Sequence, residues 1–272
     1  MNSSKSDLER LVLSVQKSGK YRHVYRELIA RIGQAELEKR SSLKAAIKAT
    51  KNKLHQVGGV YLGEKAQYTH WLATLRQAKS EGENTFREAC RQIMEYHTST
   101  RERVPFLQSF YSSILAELPP VQSVADIACG FHPLAIPWMS LARGATYFAY
   151  DIFEDLTEFL NAFFSLTSIE GQARTCDVLY SPPTPSVDLA YLLKAIPCLE
   201  QLERTAGKTL LSQIAARHLV VSFPIHSLGG RRDKGMLSYY EKHFKSLVAN
   251  TPWTIKRRFL FTNELVFLLQ RS

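Results

Sequence analysis

The feature that most constrains this chain lies after Pro119-Pro120, where short apolar runs begin to alternate with helical stretches. "VQSVADIA", "TYFAYDI", "ARTCDVL", "VDLAYLL" and "HLVVSFP" each have the length of one strand. Such runs fit strands covered on both faces, and helical spacers between them favour parallel pairing. The expected fold class is α/β, a doubly wound, Rossmann-like sheet. Two later runs, "WTIKRRFLF" and "ELVFLLQ", flank Thr262-Asn263 and read as a hairpin that adds an antiparallel edge strand.

The first 104 residues read differently. Apolar residues recur at helical spacing in "LERLVLSVQ", "YRHVYRELIARI", "YTHWLATLRQAK", "NTFREACRQIMEYHTS" and "TRERVPFLQSFYSSILAEL". "SSLKAAIKATKNKLHQV" offers a serine N-cap and a stop at Gly58-Gly59. Its Lys44, Lys48 and Lys51 share one helical face, with Lys53 to one side. Residues 1–104 carry 20 Lys and Arg against 11 Asp and Glu, whereas residues 105–272 carry 15 against 14. The net charge of +10 therefore belongs almost wholly to the first segment. That asymmetry suggests a polyanion grip, residues 1–104, joined to a near-neutral catalytic or ligand-binding body, residues 105–272.

Other classes are set aside on composition. No apolar run reaches the roughly 20 residues of a membrane span, and the N-terminus is too charged for a secretory signal. Cys90, Cys129, Cys176 and Cys198 are scattered and form no CxxC pair, so reduced thiols in a cytoplasmic protein are expected, with no metal site.

The candidate ligand site is the turn that ends the first parallel strand. In "SVADIACGFHP" (123–133) a single glycine, Gly130, follows the strand, where main chain can approach a ligand without a Cβ in the way. A dinucleotide needs further glycines to seat its pyrophosphate on a helix N-terminus. Phe131, His132 and Pro133 stand there instead, which favours a cofactor without phosphate, such as S-adenosyl-L-methionine. The terminal hairpin points the same way, since it is usual in the methyltransferase variant of this fold. Asp151, at the end of "TYFAYD", is placed to accept from ribose hydroxyls. Asp177, at the end of "ARTCD", is placed to accept from an adenine amino group, with Val178 packing on the ring. Either acid alone reads equally well as a helix N-cap.

"HTSTRER" (97–103), "DIACGFHPLAIPW" (126–138), "LLKAIPCLE" (192–200), "SFPIHSLGGR" (222–231), "KGM" (234–236) and "NELVFLL" (263–269) together resemble the aminoglycoside-resistance 16S rRNA (guanine(1405)-N(7))-methyltransferases. "KATKNKLHQVGGVYL" (48–62) resembles their basic N-terminal region, so the likeness spans nearly the whole chain in order. The resemblance implies that His97, Thr98 and Ser99 line the cofactor pocket and that Arg103 pairs with the methionine carboxylate. It implies main-chain contacts at Ala128 and Gly130, ribose at Asp151, and adenine framed by Asp177 and Val178 over Leu193, with Tyr61 closing above. Relatives carry a glutamine where this chain has Leu202, beside Gln201. By the same likeness Lys20, Arg22, Lys44, Lys48, Lys51 and Lys53 hold rRNA in the small ribosomal subunit.

The implied reaction needs no general base, because guanine N7 carries an in-plane lone pair and no proton. The chain must mainly align that nitrogen with the S–CH₃ bond. Lys194, past the fourth strand, is expected to contact the target nucleotide or its phosphate, its alternative being a lysine pointing to water. Arg231, Arg232 and Lys234 are expected to take phosphate and Met236 to pack on the base. A monomer is expected. The alternatives from the residues alone are a methyltransferase for another RNA site or a small molecule, and a non-enzymatic RNA-binding protein.

Overall fold

The computed structural model describes residues 2–59, 66–183, 185–225 and 235–272. Its strands are β1 (Ser123–Ile127), β2 (Thr146–Asp151), β3 (Glu170–Thr175), β4 (Val187–Leu193), β5 (Ala216–Pro224), β6 (Trp253–Leu260) and β7 (Glu264–Arg271). They form one sheet in the order β3-β2-β1-β4-β5-β7-β6. The first five run parallel, and β7 is antiparallel to both neighbours. The α/β expectation holds, and the order reverses between β1 and β4, which makes their carboxyl ends the switch point of the sheet.

The expected antiparallel hairpin forms, but its antiparallel strand is not the edge. Its second strand, β7, inserts between β5 and β6, so β6 forms the edge. The side chains explain this choice. Glu264 to Leu269 are all buried in β7, as an internal strand requires, whereas Lys256, Arg257 and Arg258 give β6 the charged face of an edge.

Helices precede and flank the sheet. α1 (Asn2–Gln16), α2 (Arg26–Lys39), α3 (Leu43–Leu54), α4 (Tyr68–Glu81) and α5 (Glu83–Met94) form the basic N-terminal segment. The Ser42 hydroxyl caps α3 by accepting from the Ala45 amide at 3.3 Å, and a π-turn at His55–Gly59 ends it. The helix expected across residues 100–118 is broken. α6 (Thr98–Arg101) and α7 (Leu107–Leu115) are separated by a 3₁₀ turn, Val104–Phe106, because Pro105 cannot donate to a continuous ladder. α8 (Glu154–Phe164), α9 (Ile196–Leu202), α10 (Ala206–Gln213) and α11 (Met236–Val248) complete the set. No helix among the described residues is long and apolar enough to cross a membrane.

Two apolar clusters sandwich the sheet. One joins Leu11, Ile29 and Ile93 to Tyr147, Phe159 and Val220, so the N-terminal helices share a core with one sheet face. The other gathers Leu192, Leu210, Val221, Phe244 and Phe267 on the opposite face. The lead-in to α2 is also tied by backbone to the segment after β2. The Tyr25 amide donates to the Ile152 carbonyl, and the Glu154 amide to the His23 carbonyl, each at 2.8 Å.

Candidate active site

A cleft of about 980 Å³, counting its open mouth, lies over the carboxyl ends of β1, β2 and β4. Of the twelve sequence-predicted cofactor residues, His97, Ser99, Arg103, Ala128, Gly130, Asp151, Asp177, Val178, Leu193 and Leu202 line it. Thr98 does not; it opens α6, where its carbonyl accepts from the Glu102 amide. Tyr61 falls outside the described residues, as do Arg231, Arg232 and Lys234. Gln201 is exposed, and its neighbour Leu202, the last residue of α9, faces the cleft.

Gly130 follows β1 with φ +52°, a backbone state that L side chains rarely adopt. A Cβ there would sit 2.8 Å from His97 Nε2, so space and conformation both demand glycine. No long α-helix starts at this turn; a 3₁₀ stretch, His132–Trp138, has Pro133 in its first turn and Pro137 inside it. Ala128 (φ 55°) and Lys194 (φ 56°) are also left-handed, each just beyond a strand that ends at the cleft. Strain of this kind, about 1–3 kcal/mol per residue, gathers where a site is pre-shaped.

Asp151 ends β2 as expected and lies 8% exposed. Its Oδ2 accepts from the Gly130 amide at 2.8 Å, and its Oδ1 from the Ile152 and Phe153 amides at 2.7 and 3.3 Å. Burial pushes its carboxyl up to about 6 against the pull of those three donors. Asp177 departs from the expected strand end, for β3 stops at Thr175 and Asp177 stands in the following turn. Its Oδ1 accepts from the Leu179 amide at 3.2 Å, and its Oδ2 takes Arg31 Nε at 2.8 Å.

Arg103 is wholly buried and forms a two-pronged pair with Glu264, Nη2–Oε1 at 2.6 Å and Nε–Oε2 at 3.1 Å. Burial opposes the charge on each partner; their mutual attraction prevails, so the guanidinium rises and the carboxyl falls from their ordinary values. Arg103 Nη1, equally buried, has no protein partner among the described residues. His97 is pushed down to about 3 by burial and by the Arg103 and Lys194 cations, so its ring is neutral near pH 7. Asp126, inside β1, accepts from His132 Nδ1 and the Tyr147 hydroxyl at 2.8 Å each, which is what lets a carboxylate sit in a central strand.

The target-side and rRNA-side expectations meet the structure unevenly. Lys194 does not point to water: it is 4% exposed, and its Nζ lies 2.6 Å from Glu102 Oε2 and 3.6 Å from Glu264 Oε2. Met236 opens α11, partly exposed. Arg22, Lys44 and Lys48 are exposed and Lys51 half-buried, with no carboxylate within ion-pair distance among the described residues. Lys20 Nζ lies 2.9 Å from His55 Nδ1. Lys53 is the exception, bound at 3.1 Å to the buried Glu36, which also holds Arg40. Its charge serves the fold, because a buried carboxylate needs cations beside it.

Two contacts at the cleft carried no sequence signal, Arg31 on Asp177 and Glu264 on Arg103. Each spans more than 140 positions, and neither partner stands in a local pattern that names the other.

The residues fit a sulfonium nucleoside. An orphaned buried guanidinium nitrogen suits a carboxylate, the Gly130 turn allows close approach, and Asp151 at the end of β2 and Asp177 just after β3 add two acids to the same wall. Among the described residues the donor set includes no cradle of glycines for a pyrophosphate.

Comparison with known proteins adds the family. Residues 17–268 match the model of the ribosomal RNA methyltransferase family FmrO. The 16S rRNA (guanine(1405)-N(7))-methyltransferase of Micromonospora rosea is 33% identical over the full length of both chains. That of Micromonospora echinospora is 33% identical over 97% of each. Among solved structures, the 16S rRNA methyltransferase RmtF in complex with S-adenosyl-L-homocysteine superposes with a TM-score of 0.81 at 27% identity, covering 99% of this chain and 98% of that one.

Proposed function

This chain belongs to the FmrO family of ribosomal RNA methyltransferases, and from that premise we propose that it methylates N7 of guanine 1405 in 16S rRNA. It is an S-adenosyl-L-methionine-dependent methyltransferase, and methylation at that base gives aminoglycoside resistance. The observation that carries the reading is the cleft itself: an open switch point with one glycine turn, one acid at the end of β2 and another just after β3, and a buried guanidinium nitrogen without a partner among the described residues.

The cofactor, when bound, supplies a methyl group on a positively charged sulfur. Arg103 Nη1 holds the methionine carboxylate, while Glu264 fixes the plane of the guanidinium. Asp151 takes the ribose hydroxyls, and Asp177 with Val178 takes the adenine. Leu193 and Leu202 pack on apolar surface at the same cleft. No side chain has to remove a proton, since the attacking nitrogen has none to lose. The remaining work is placement of the base, and there Lys194 and Met236 act on the target side, with Arg231, Arg232 and Lys234.

The demanding step is exposure of N7, which lies in the deep, narrow groove of A-form RNA. Turning the base outward costs a few kcal/mol. Phosphate contacts from the helical segment, residues 1–104, offset that, with Arg22, Lys44, Lys48 and Lys51 the available cations. The product ring carries a positive charge and an added methyl group, which repel and obstruct a polycationic drug. The enzyme acts in the cytoplasm, where small ribosomal subunits are.

Incubation with assembled small subunits and labelled methyl donor tests the reading. Label enters 16S rRNA of wild-type subunits and not of subunits carrying adenine at position 1405. Equal labelling of both would refute the assigned base.

A further inference from the structure

We propose that Arg31, on helix α2 of the basic segment, is the positioning residue that makes Asp177 select a 6-amino purine in the cofactor cleft; this rests on the reading of Asp177 as the adenine acceptor. Arg31 Nε and Nη2 lie 2.8 and 2.7 Å from Asp177 Oδ2. The guanidinium carbon sits 4.1 Å from the centre of the Tyr180 ring, so the cation is held between a carboxylate and an aromatic face. Asp177 belongs to the cleft wall; Arg31 does not, and it acts only through its partner.

The physical need for Arg31 follows from the turn. A carboxylate on a short side chain rotates broadly about its last bond, so an unheld aspartate presents either oxygen in many orientations. Here Oδ2 is taken by Arg31, and among the described residues Oδ1 receives only the Leu179 amide at 3.2 Å. The fixed carboxylate thus keeps acceptor capacity on Oδ1 for a donor in the cleft. A 6-amino group is such a donor. A 6-oxo group in its place sets acceptor against acceptor, which a held carboxylate rejects and a free one turns away from.

Arg31 is itself rigidly placed. The lead-in to its helix is bonded by backbone to residues 152 and 154, directly after Asp151. Leu28, one turn before Arg31, lines the cleft. One helix of the rRNA-gripping segment therefore abuts both acid-bearing loops of the cofactor site.

The test is calorimetric titration of the full-length chain with S-adenosyl-L-homocysteine and with S-inosylhomocysteine, its 6-oxo counterpart. The wild type prefers the amino form by about 100-fold. In Arg31→Gln that preference shrinks by about ten-fold, chiefly through weaker binding of the amino form. Arg31→Lys, a point charge without the planar fork, lies between them. The preference is a ratio and does not depend on how much of a variant is folded. If Arg31→Gln weakens both nucleosides by one common factor, or neither, while the wild type keeps its preference, Arg31 only supports the fold and the proposal is overturned. If the wild type shows no preference, the reading of Asp177 fails first and the proposal goes with it.

Discussion

Arg103 and Glu264, 161 positions apart, meet wholly inside the protein through two parallel contacts of 3.1 and 2.6 Å. The pair joins the segment after α6 to the first residue of β7, and it fixes the plane of a guanidinium that lines the cleft and whose Nη1 has no hydrogen-bond partner among the described residues. Glu264→Ala leaves a buried cation without its anion, a loss of about 3–5 kcal/mol. Thermal melting should show Tm lower by about 10 °C. A shift below 2 °C would mean that the pair is not formed in solution.

Asp151 gives a pH dependence of known sign. Its carboxyl titrates near 6 in the folded protein, above its ordinary value of 3.8, because burial disfavours the charge. The folded state therefore binds the extra proton between about pH 4 and 6, and stability contributed by this group falls as pH rises through that window. Ligand hydroxyls donate to the ionised form, so cofactor affinity moves the opposite way, rising from pH 5 to a plateau above 7. Titration with S-adenosyl-L-homocysteine at pH 5.0 and 7.5 should show about ten-fold tighter binding at the higher pH. Asp151→Asn should bind weakly and without that dependence; a variant that keeps the slope would assign it elsewhere.

Much of the cleft was legible because strand ends are local. Gly130, Asp151 and Lys194 each follow a run whose apolar pattern shows where it stops, and the sheet then brings those stops together. Asp177 lies two residues past the end of its strand, and the turn there still keeps it on the cleft wall. What the sequence concealed was pairing between distant charges. In sequence Lys53 resembles its neighbours on α3, yet it pairs with the buried Glu36, and nothing near Arg31 or Glu264 signals a partner. The inserted β7 was hidden for a related reason. A hairpin pattern gives two strands, and only the contrast between a continuous apolar run and a charged one says which lies inside.

The four lysines of α3 divide by partner. Lys44, Lys48 and Lys51 lack a carboxylate partner among the described residues, so alanine at all three should weaken subunit binding and flatten its salt dependence by up to about two to three units of slope. Lys53→Ala should instead lower Tm by a few degrees, because Glu36 keeps only Arg40. Filter binding across a salt series, beside melting curves, separates the two. A slope unchanged by the triple variant would remove α3 from the interface.

Lys194 holds Glu102 and approaches Glu264, so its assigned contact with the target requires it to exchange partners. Lys194→Met preserves the stem without the charge. Cofactor affinity should stay within about three-fold, while turnover on subunits falls by about 100-fold, a loss of stabilisation of about 2.7 kcal/mol in the transition state. Parallel calorimetry and methyl-transfer kinetics check this; equal losses in both would show that the lysine serves the cofactor pocket.

The most direct test of the whole account maps the modified atom. Methylation at N7 leaves a guanine ring with a fixed positive charge, and borohydride followed by aniline then cleaves the RNA at that nucleotide. Primer extension on 16S rRNA from enzyme-treated subunits should give one new stop, at position 1406, the 5′ end left by scission at nucleotide 1405. A modified subunit whose rRNA resists this cleavage, or new scission at any other nucleotide, would contradict the account.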